Sequence, residues 1–311
     1  MSLWRLLTLT IILLYFSAII LFLTYQPSPF DTTALYPPTP CKCPQILTLA
    51  PVTTPSEPAT TLSESPPTSP PRPLHTLAVM VPFRDRWEEL TEFVPYMHKF
   101  LNRQNVSHEI WVINQADKHR FNRAMLMNSG FMLTESCCDY LVMHDVDLLP
   151  LNDHLSYAYP TDYSPYHISS PELHPLYHYK KFVGGVLMMT REHFKRVNGL
   201  TNIFWGWGRE DDELYLRIKE AGLQLHRPAG ITTGNKTFRH NHDRKVRPRD
   251  MKSYGTQWRL SRRRDRESGL HTLKFEVLSI HNMSINGAPF KLANLELHCD
   301  YQKTPFCDHP S

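Results

Sequence analysis

YLVMHDVDLLP, residues 140–150, runs an apolar segment into His144, Asp145 and Asp147 and stops at Pro150. An apolar run of this length closed by a turn residue reads as a buried strand. Carboxylates at the end of such a strand are costly to bury unless a cation meets them. Two further runs, LAVMVPF (77–83) and HEIWVIN (108–114), read as strands, and the helical patterns WEELTEFVPYMHKFLNRQ (87–104) and FNRAMLMNSGFMLTES (121–136) lie between the three. The alternation predicts an α/β fold with a largely parallel sheet, whose ligand sits beyond the carboxyl ends of the strands. On that rim the strand ends bring Arg84, Arg86 and Arg123 together with Asp145 and Asp147. The expectation is a divalent cation on the carboxylates and a phosphate-bearing anion on the arginines.

Asp-x-Asp alone is a weak signal, and directly after a buried strand it gains weight. Carboxylate oxygens bind hard or borderline divalent ions that also bridge diphosphates, which makes a sugar nucleotide the natural ligand. FRHNHD (238–243) adds His240 and His242, which share one side of an extended segment and can meet the same ion. With Asp147 they form a one-carboxylate, two-imidazole set suited to Mn²⁺, although ligand type alone does not exclude other ions. A pair of surface histidines is the plain alternative. A nuclease reading of HNH needs its own metal finger, and no nucleic-acid partner is expected.

FWGWGREDDELYLRIKEAG (204–222) is the densest stretch. From Glu210 to Gly222 it has helical spacing, with acids at the positive end and glycine at the close. Trp205 and Trp207 among glycines suggest a mobile ligand-covering loop hinged at Gly206 and Gly208, with Asp211 and Asp212 facing a substrate hydroxyl. Helix-end acids and core aromatics are the plainer reading. In LYHYK (176–180), Tyr177 and Tyr179 share a side and suit the C–H faces of a sugar, unless they are core tyrosines.

The ends of the 311-residue chain set its context. Residues 6–25, LLTLTIILLYFSAIILFLTY, carry no charge, and about 20 such residues span a bilayer core. They read as an uncleaved signal-anchor behind a five-residue cytosolic tail, 1–5, that holds Arg5. Residues 26–75, rich in Pro, Thr and Ser, read as an extended stem, which leaves 76–311 as a lumenal catalytic domain. Of six cysteines, Cys299 and Cys307 are expected to pair, Cys137 and Cys138 to stay as buried thiols, and Cys41 and Cys43 offer an interchain bridge in the stem. A homodimer through the stem or the membrane segment is therefore open. Sequons stand at Asn105, Asn235 and Asn282. The net charge of +4 is uneven, with a basic stretch between Lys236 and Arg266 that is either a solvated face or a surface for a polyanion.

In order along the chain, VPFRDR, FNRA, DVD, FVGG, GWGREDDE and HNH together resemble the β-1,4-galactosyltransferase family from about Leu77 to Cys307. The similarity is greatest to the xylose-directed branch. His240-Asn241-His242 stands where lactose-type members have a Met and a His, LYHYKKFVGG matches the xylose-specific form, and GWGREDDE replaces GWGGEDDD. The resemblance implies a GT-A fold, a mixed sheet flanked by helices, in a type II Golgi membrane enzyme. It implies an inverting transfer of galactose from UDP-galactose to xylose on proteoglycan core proteins, with Mn²⁺. Carried over by position, Asp147, His240 and His242 ligate the ion and Asp211 is the general base. Val81, Pro82, Phe83, Arg84, Asp85, Phe121, Asn122, Arg123, Val146, Asp147, Trp207, Gly208 and Glu210 take the donor. Tyr177, Tyr179, Trp207, Asp211 and Asp212 take the xylose. The segment DRKVRPRD (243–250) and the stem match nothing in the family, which bears on the choice of acceptor protein. Two rivals remain open: the same transfer to N-acetylglucosamine, and a Golgi lectin-like binder without turnover.

Overall fold

The computed structural model describes residues 74–308, Thr233 apart. The tail, the signal-anchor and all but the last two residues of the stem lie outside the described residues. Among the described residues no helix is long and apolar enough to cross a membrane.

The strands are β1 (Thr76–Phe83), β2 (Ser107–Gln115), β3 (Tyr140–His144), β4 (Leu148–Pro150), β5 (Tyr166–His167), β6 (Val186–Thr190), β7 (Phe238–His240), β8 (Phe275–Ile285) and β9 (Ala288–Leu297). The helices are α1 (Trp87–Arg103), α2 (Arg123–Leu133), α3 (Arg191–Arg196), α4 (Glu210–Glu220) and α5 (Tyr254–Leu260). Among the described residues the main sheet has seven strands in the order β5-β6-β3-β1-β2-β9-β8. β1 lies parallel to β2 and to β3, and β9 lies parallel to β2. β6 and β8 run antiparallel to their neighbours, so the sheet is mixed where the sequence suggested a largely parallel one. The β8–β9 pair is a tight hairpin turning on Asn286 and Gly287, both at positive φ, and it feeds β9 in from beyond the three strands legible in the sequence.

β1 alternates with the pleat. Leu77, Val79, Val81 and Phe83 pack with α1, while Ala78 and Met80 pack with α2 on the other face. The central strands are buried on both sides, which is why they read as unbroken apolar runs. β4 and β7 form a separate antiparallel pair with Leu148 opposite His240. The Asn241 amide donates to the Asp147 carbonyl at 2.7 Å, so the HNH segment is clamped beside the end of β3.

α4 is held by a buried ion pair. Arg217 Nε donates to Glu213 at 2.7 Å, with both side chains fully buried. The remaining guanidinium nitrogens donate to the carbonyls of Asn198, Asp265 and Ser268, so the fork is satisfied on all sides. Removing one member leaves an uncompensated charge. Arg217→Met is therefore expected to lower unfolding free energy by about 3–5 kcal/mol in a denaturant titration. A loss below about 1 kcal/mol would mean that α4 is fixed by packing alone.

Candidate active site

A cavity of about 360 Å³ opens at the carboxyl ends of β1 and β3. The turn after β3 supplies Asp145, Val146 and Asp147; the amino end of α4 and the loop before it supply Trp207 to Asp212; the end of β7 supplies His240 and His242. A strand end is rigid and its last residues are free of the ladder, so side chains there can face a ligand at little structural cost.

The acids are arranged around one guanidinium. Arg123, the first residue of α2, donates to Asp145 Oδ1 from Nε at 2.9 Å and from Nη2 at 2.7 Å, and its Nη1 stands 3.6 Å from Glu210. Burial opposes its charge, but Asp145 and Glu210 outweigh that and hold it protonated. Asn122 caps α2 through the Met125 amide and points the helix start, and hence Arg123, at the rim.

Gly206, Gly208 and Arg209 all have positive φ, and for Arg209 at +79° this is a strained conformation for a residue with a side chain. The strain is held by two contacts: Arg209 Nη1 meets Asp212 at 2.6 Å, and its guanidinium lies 4.9 Å over the Tyr254 ring while donating to the Tyr254 hydroxyl. The turn delivers Glu210, Asp211 and Asp212 as the first residues of α4, where the helix dipole favours negative charge. Asp211 is nonetheless pushed up to about 8, by burial first and then by repulsion from Glu210 and Asp212. The FVGG motif has its reason here. A Cβ on Gly184 would stand 2.8 Å from Asp211 Oδ2, so only glycine lets the carboxylate sit where it does.

Across the cavity, Asp147 Oδ2 lies 3.4 Å from His242 Nδ1 and 3.8 Å from His240 Nε2. Among the described residues His242 Nε2 is buried without a hydrogen-bond partner, and Nδ1 has only Asp147 beside it. Buried orphan nitrogens are rare in finished structures and imply an absent partner. Burial pushes the His240 imidazole down toward the neutral, metal-binding form. On Asp147 burial works upward, and His242 and His240 more than offset it, so the carboxylate stays ionised. A carboxylate with two imidazoles beside it is a donor set that fits a borderline divalent cation.

Of the residues singled out in the sequence, Pro82, Arg84, Phe121, Arg123, Val146, Asp147, Tyr177, Tyr179, Trp207, Gly208, Glu210, Asp211, Asp212, His240 and His242 all line this cavity. Four do not. Val81 and Phe83 project from β1 into the α1 side of the core, and Asn122 is consumed as the α2 cap. Asp85 sits exposed in the turn at φ +52°. The expectation that the rim arginines wait for an anion also needs correcting. Arg84 spends its guanidinium on the carbonyls of Gln115, Asp117 and His119, Arg86 pairs with Glu89, and Arg123 is taken by Asp145 and Glu210. Only Trp207 of the two tryptophans faces the cavity; Trp205 is buried beneath it.

Sequence reasoning passed over Arg249, Tyr254 and His174. Arg249 donates to the Tyr177 hydroxyl at 2.5 Å and lies 4.2 Å over the Trp207 ring, and Tyr254 also stacks on Trp207. His174 accepts the Leu176 and Tyr177 amides on Nδ1 and so fixes the loop that carries Tyr177. Arg249 and Tyr254 were hidden in the basic stretch, where Arg239 pairs with Glu92. Arg247 meets Glu88 and Glu89, while Arg264 and Arg266 share Glu220.

Two family models match the chain: the N-terminal region of glycosyl transferase group 7 over residues 35–160, and the N-terminal domain of galactosyltransferase over residues 164–241. The mouse β-1,4-galactosyltransferase 7 is 55% identical over 233 residues, covering 75% of this chain and 71% of its own. The xylosylprotein 4-β-galactosyltransferase of Caenorhabditis elegans is 49% identical over 238 residues, covering 75% of this chain and 82% of its own. The crystal structure of the Drosophila β-1,4-galactosyltransferase 7 catalytic domain with xylobiose superposes with a TM-score of 0.74 at 52% identity, covering 76% of this chain and all of that one. A mutant of the Drosophila enzyme, with manganese, UDP-Gal and xylobiose bound, matches equally well.

The raised carboxyl of Asp211 has a thermodynamic sign. The folded state holds this proton more tightly than the unfolded chain does. Stability is therefore complete below the ordinary carboxylate range and falls as pH rises toward about 8. Asp211→Asn removes that loss, so the variant should gain melting temperature over the parent at about pH 9 and gain little at about pH 4. An equal gain at both pH values would contradict the buried, crowded carboxyl.

Proposed function

The chain belongs to the β-1,4-galactosyltransferase family, and from that premise we propose that it transfers galactose from UDP-galactose to the 4-hydroxyl of xylose, with Mn²⁺ and with inversion at C1. The observation that carries this reading is the cavity in which Asp211, crowded and proton-seeking, sits among Tyr177, Tyr179 and Trp207 and faces the Asp147, His240 and His242 cluster. A relative at 49% identity is a xylosylprotein 4-β-galactosyltransferase by name, and a Drosophila enzyme of the same fold is seen with manganese, UDP-Gal and xylobiose. The fold is the GT-A-like α/β arrangement with a mixed sheet.

The xylose O4 attacks C1 of galactose from the face opposite the phosphate. The C1–O bond to UDP breaks and the α-linkage becomes β. Asp211 takes the proton from O4, a role worth about 10²–10⁴-fold. A carboxyl raised toward neutrality accepts that proton more readily than one of ordinary pKa. Bound by Asp147, His240 and His242, Mn²⁺ supplies Lewis-acid neutralisation of the charge growing on the leaving diphosphate. Arg123 keeps Asp145 and Glu210 paired, so that negative charge near the donor is balanced before the reaction starts. Tyr177, braced by Arg249 and His174, and Trp207, in contact with Arg249 and Tyr254, form walls for the flat faces of a pentose. Asp212 is tied to Arg209 and orients the acceptor from beside Asp211. Rotation at Gly206 and Gly208 closes Trp207 over the donor, excludes water and completes the acceptor site, so the donor binds first.

In the same reading, residues 6–25 anchor the protein in the Golgi membrane as a single-pass type II chain, with 26–75 as a stem and 76–311 in the lumen. The natural acceptors are xylosylated proteoglycan core proteins, where the product is the first galactose of the glycosaminoglycan linker. A xylose site framed by Tyr177, Tyr179 and Trp207 should lack room for an acetamido group beside C2, which disfavours N-acetylglucosamine. A crowded, buried carboxylate whose ionisation costs stability disfavours a binder without turnover.

With Mn²⁺ and UDP-galactose the protein should galactosylate a β-xyloside and leave N-acetylglucosamine essentially untouched, and Asp211→Asn should lose about 10²–10⁴-fold in kcat/KM for the xyloside. Transfer to N-acetylglucosamine at a comparable rate, or full activity in the variant, would overturn the assignment.

A further inference from the structure

Cys137 and Cys138 occupy the turn between α2 and β3, and their Sγ atoms stand 3.0 Å apart. Both are free thiols, Cys138 buried and Cys137 half-buried. The Glu109 carboxylate of β2 completes a triad whose ligand atoms all lie within 4.8 Å of one another. The only comparable set among the described residues outside the cavity, His119 with Cys299 and Cys307, has its two sulfurs joined in a disulfide.

We propose that Cys137, Cys138 and Glu109 form a second cation site, separate from the Mn²⁺ cluster and selective for a thiophilic divalent ion of the Zn²⁺ or Cd²⁺ class. Two thiolates on one tetrahedral ion, each about 2.3 Å from it, stand roughly 3.8 Å apart, which a modest side-chain rotation reaches from the observed spacing. Two thiolates and a carboxylate carry three negative charges, which the ion and Lys291 balance. Lys291 Nζ already holds Glu109 Oε2 at 2.8 Å, and Trp111 Nε1 donates to the same oxygen at 2.9 Å, so the carboxylate is oriented before any ion arrives. Binding releases two thiol protons and leaves a fourth position for water. The two sites differ in softness: oxygen and imidazole donors at the cavity, sulfur donors here. They also differ in place. Cys138 precedes β3 and Asp145 follows it, so the ion would pin the α2–β3 turn to β2 at the end of the sheet away from the cavity.

The test uses the full chain carrying Cys41→Ser and Cys43→Ser, purified without reductant so that Cys299–Cys307 stays closed. Of the six cysteines only Cys137 and Cys138 then remain as thiols. Titration with Cd²⁺ should produce a thiolate-to-metal absorption band that saturates at one ion per chain, with release of two protons and a rise in melting temperature. The Asp147, His240 and His242 set has no sulfur and cannot give this band. Adding Cys137→Ser and Cys138→Ser should abolish it while leaving galactose transfer with Mn²⁺ unchanged. Glu109→Gln should weaken Cd²⁺ binding about tenfold or more. Absence of the band in the parent, its persistence in the double serine variant, or an unchanged affinity in Glu109→Gln would each overturn the proposal.

Discussion

One guanidinium holds the acids of this site in place. Asp145, at the end of β3, and Glu210, at the start of α4, carry like charge on the wall of one cavity, and neither helix nor strand would bring them together unaided. Arg123 reaches both from the first residue of α2. Because α2 is packed on β1 and β2 and its start is capped by Asn122, the position of Arg123 is fixed by the core and not by the acids it serves. Buried ion pairs add little net stability, but removing one partner is costly, so such a pair fixes geometry more than it adds stability. The acids divide accordingly. Asp145 and Glu210 are spent on Arg123, Asp212 on Arg209, and Asp147 on two imidazoles. Asp211 is the member of the group with no cation in contact, and the charge left around it raises its proton affinity.

A second constraint is backbone freedom at a few glycines. Gly184 admits the Asp211 carboxylate, and Gly206 and Gly208 let the chain turn so that Trp205 drops into the core while Trp207 faces the cavity. The same turn forces Arg209 into left-handed backbone, and the side-chain contacts of Arg209 are what hold that strain. Trp207, Glu210, Asp211 and Asp212 thus share one short loop and one helix start, so movement of the loop shifts an aromatic wall and three acids of the cavity together.

Much of this was legible in the chain because strand ends and helix starts have local signatures. β1, β2, β3, α1, α2 and α4 follow from apolar runs, helical spacing and first-turn acids, and the carboxyl-end rim follows from their order. What local pattern cannot show is who pairs with whom across the chain. β9, 288–297, enters the sheet beside β2, and no nearby signal marks a strand from the far end as parallel to it. The rim arginines read as anion receptors because their partners, the carbonyls of 115–119 for Arg84 and Glu210 for Arg123, are distant or on another element. Val81 and Phe83 were grouped with their neighbours by motif, yet the period of two along a strand sends them to the core while Pro82 faces the cavity. Arg249 and Tyr254 were obscured because a basic loop gives no period by which an inward side chain can be told from a solvated one.

The account turns on Asp211 as the group that receives the acceptor proton. The direct measurement is the pH dependence of kcat/KM for a β-xyloside, at saturating UDP-galactose and Mn²⁺, in the parent and in Asp211→Asn. The account predicts that the parent rate climbs with pH through an ionisation above the ordinary carboxylate range, and that the residual rate of the variant lacks this ionisation. The same ionisation persisting in the variant would place the base elsewhere and contradict the account.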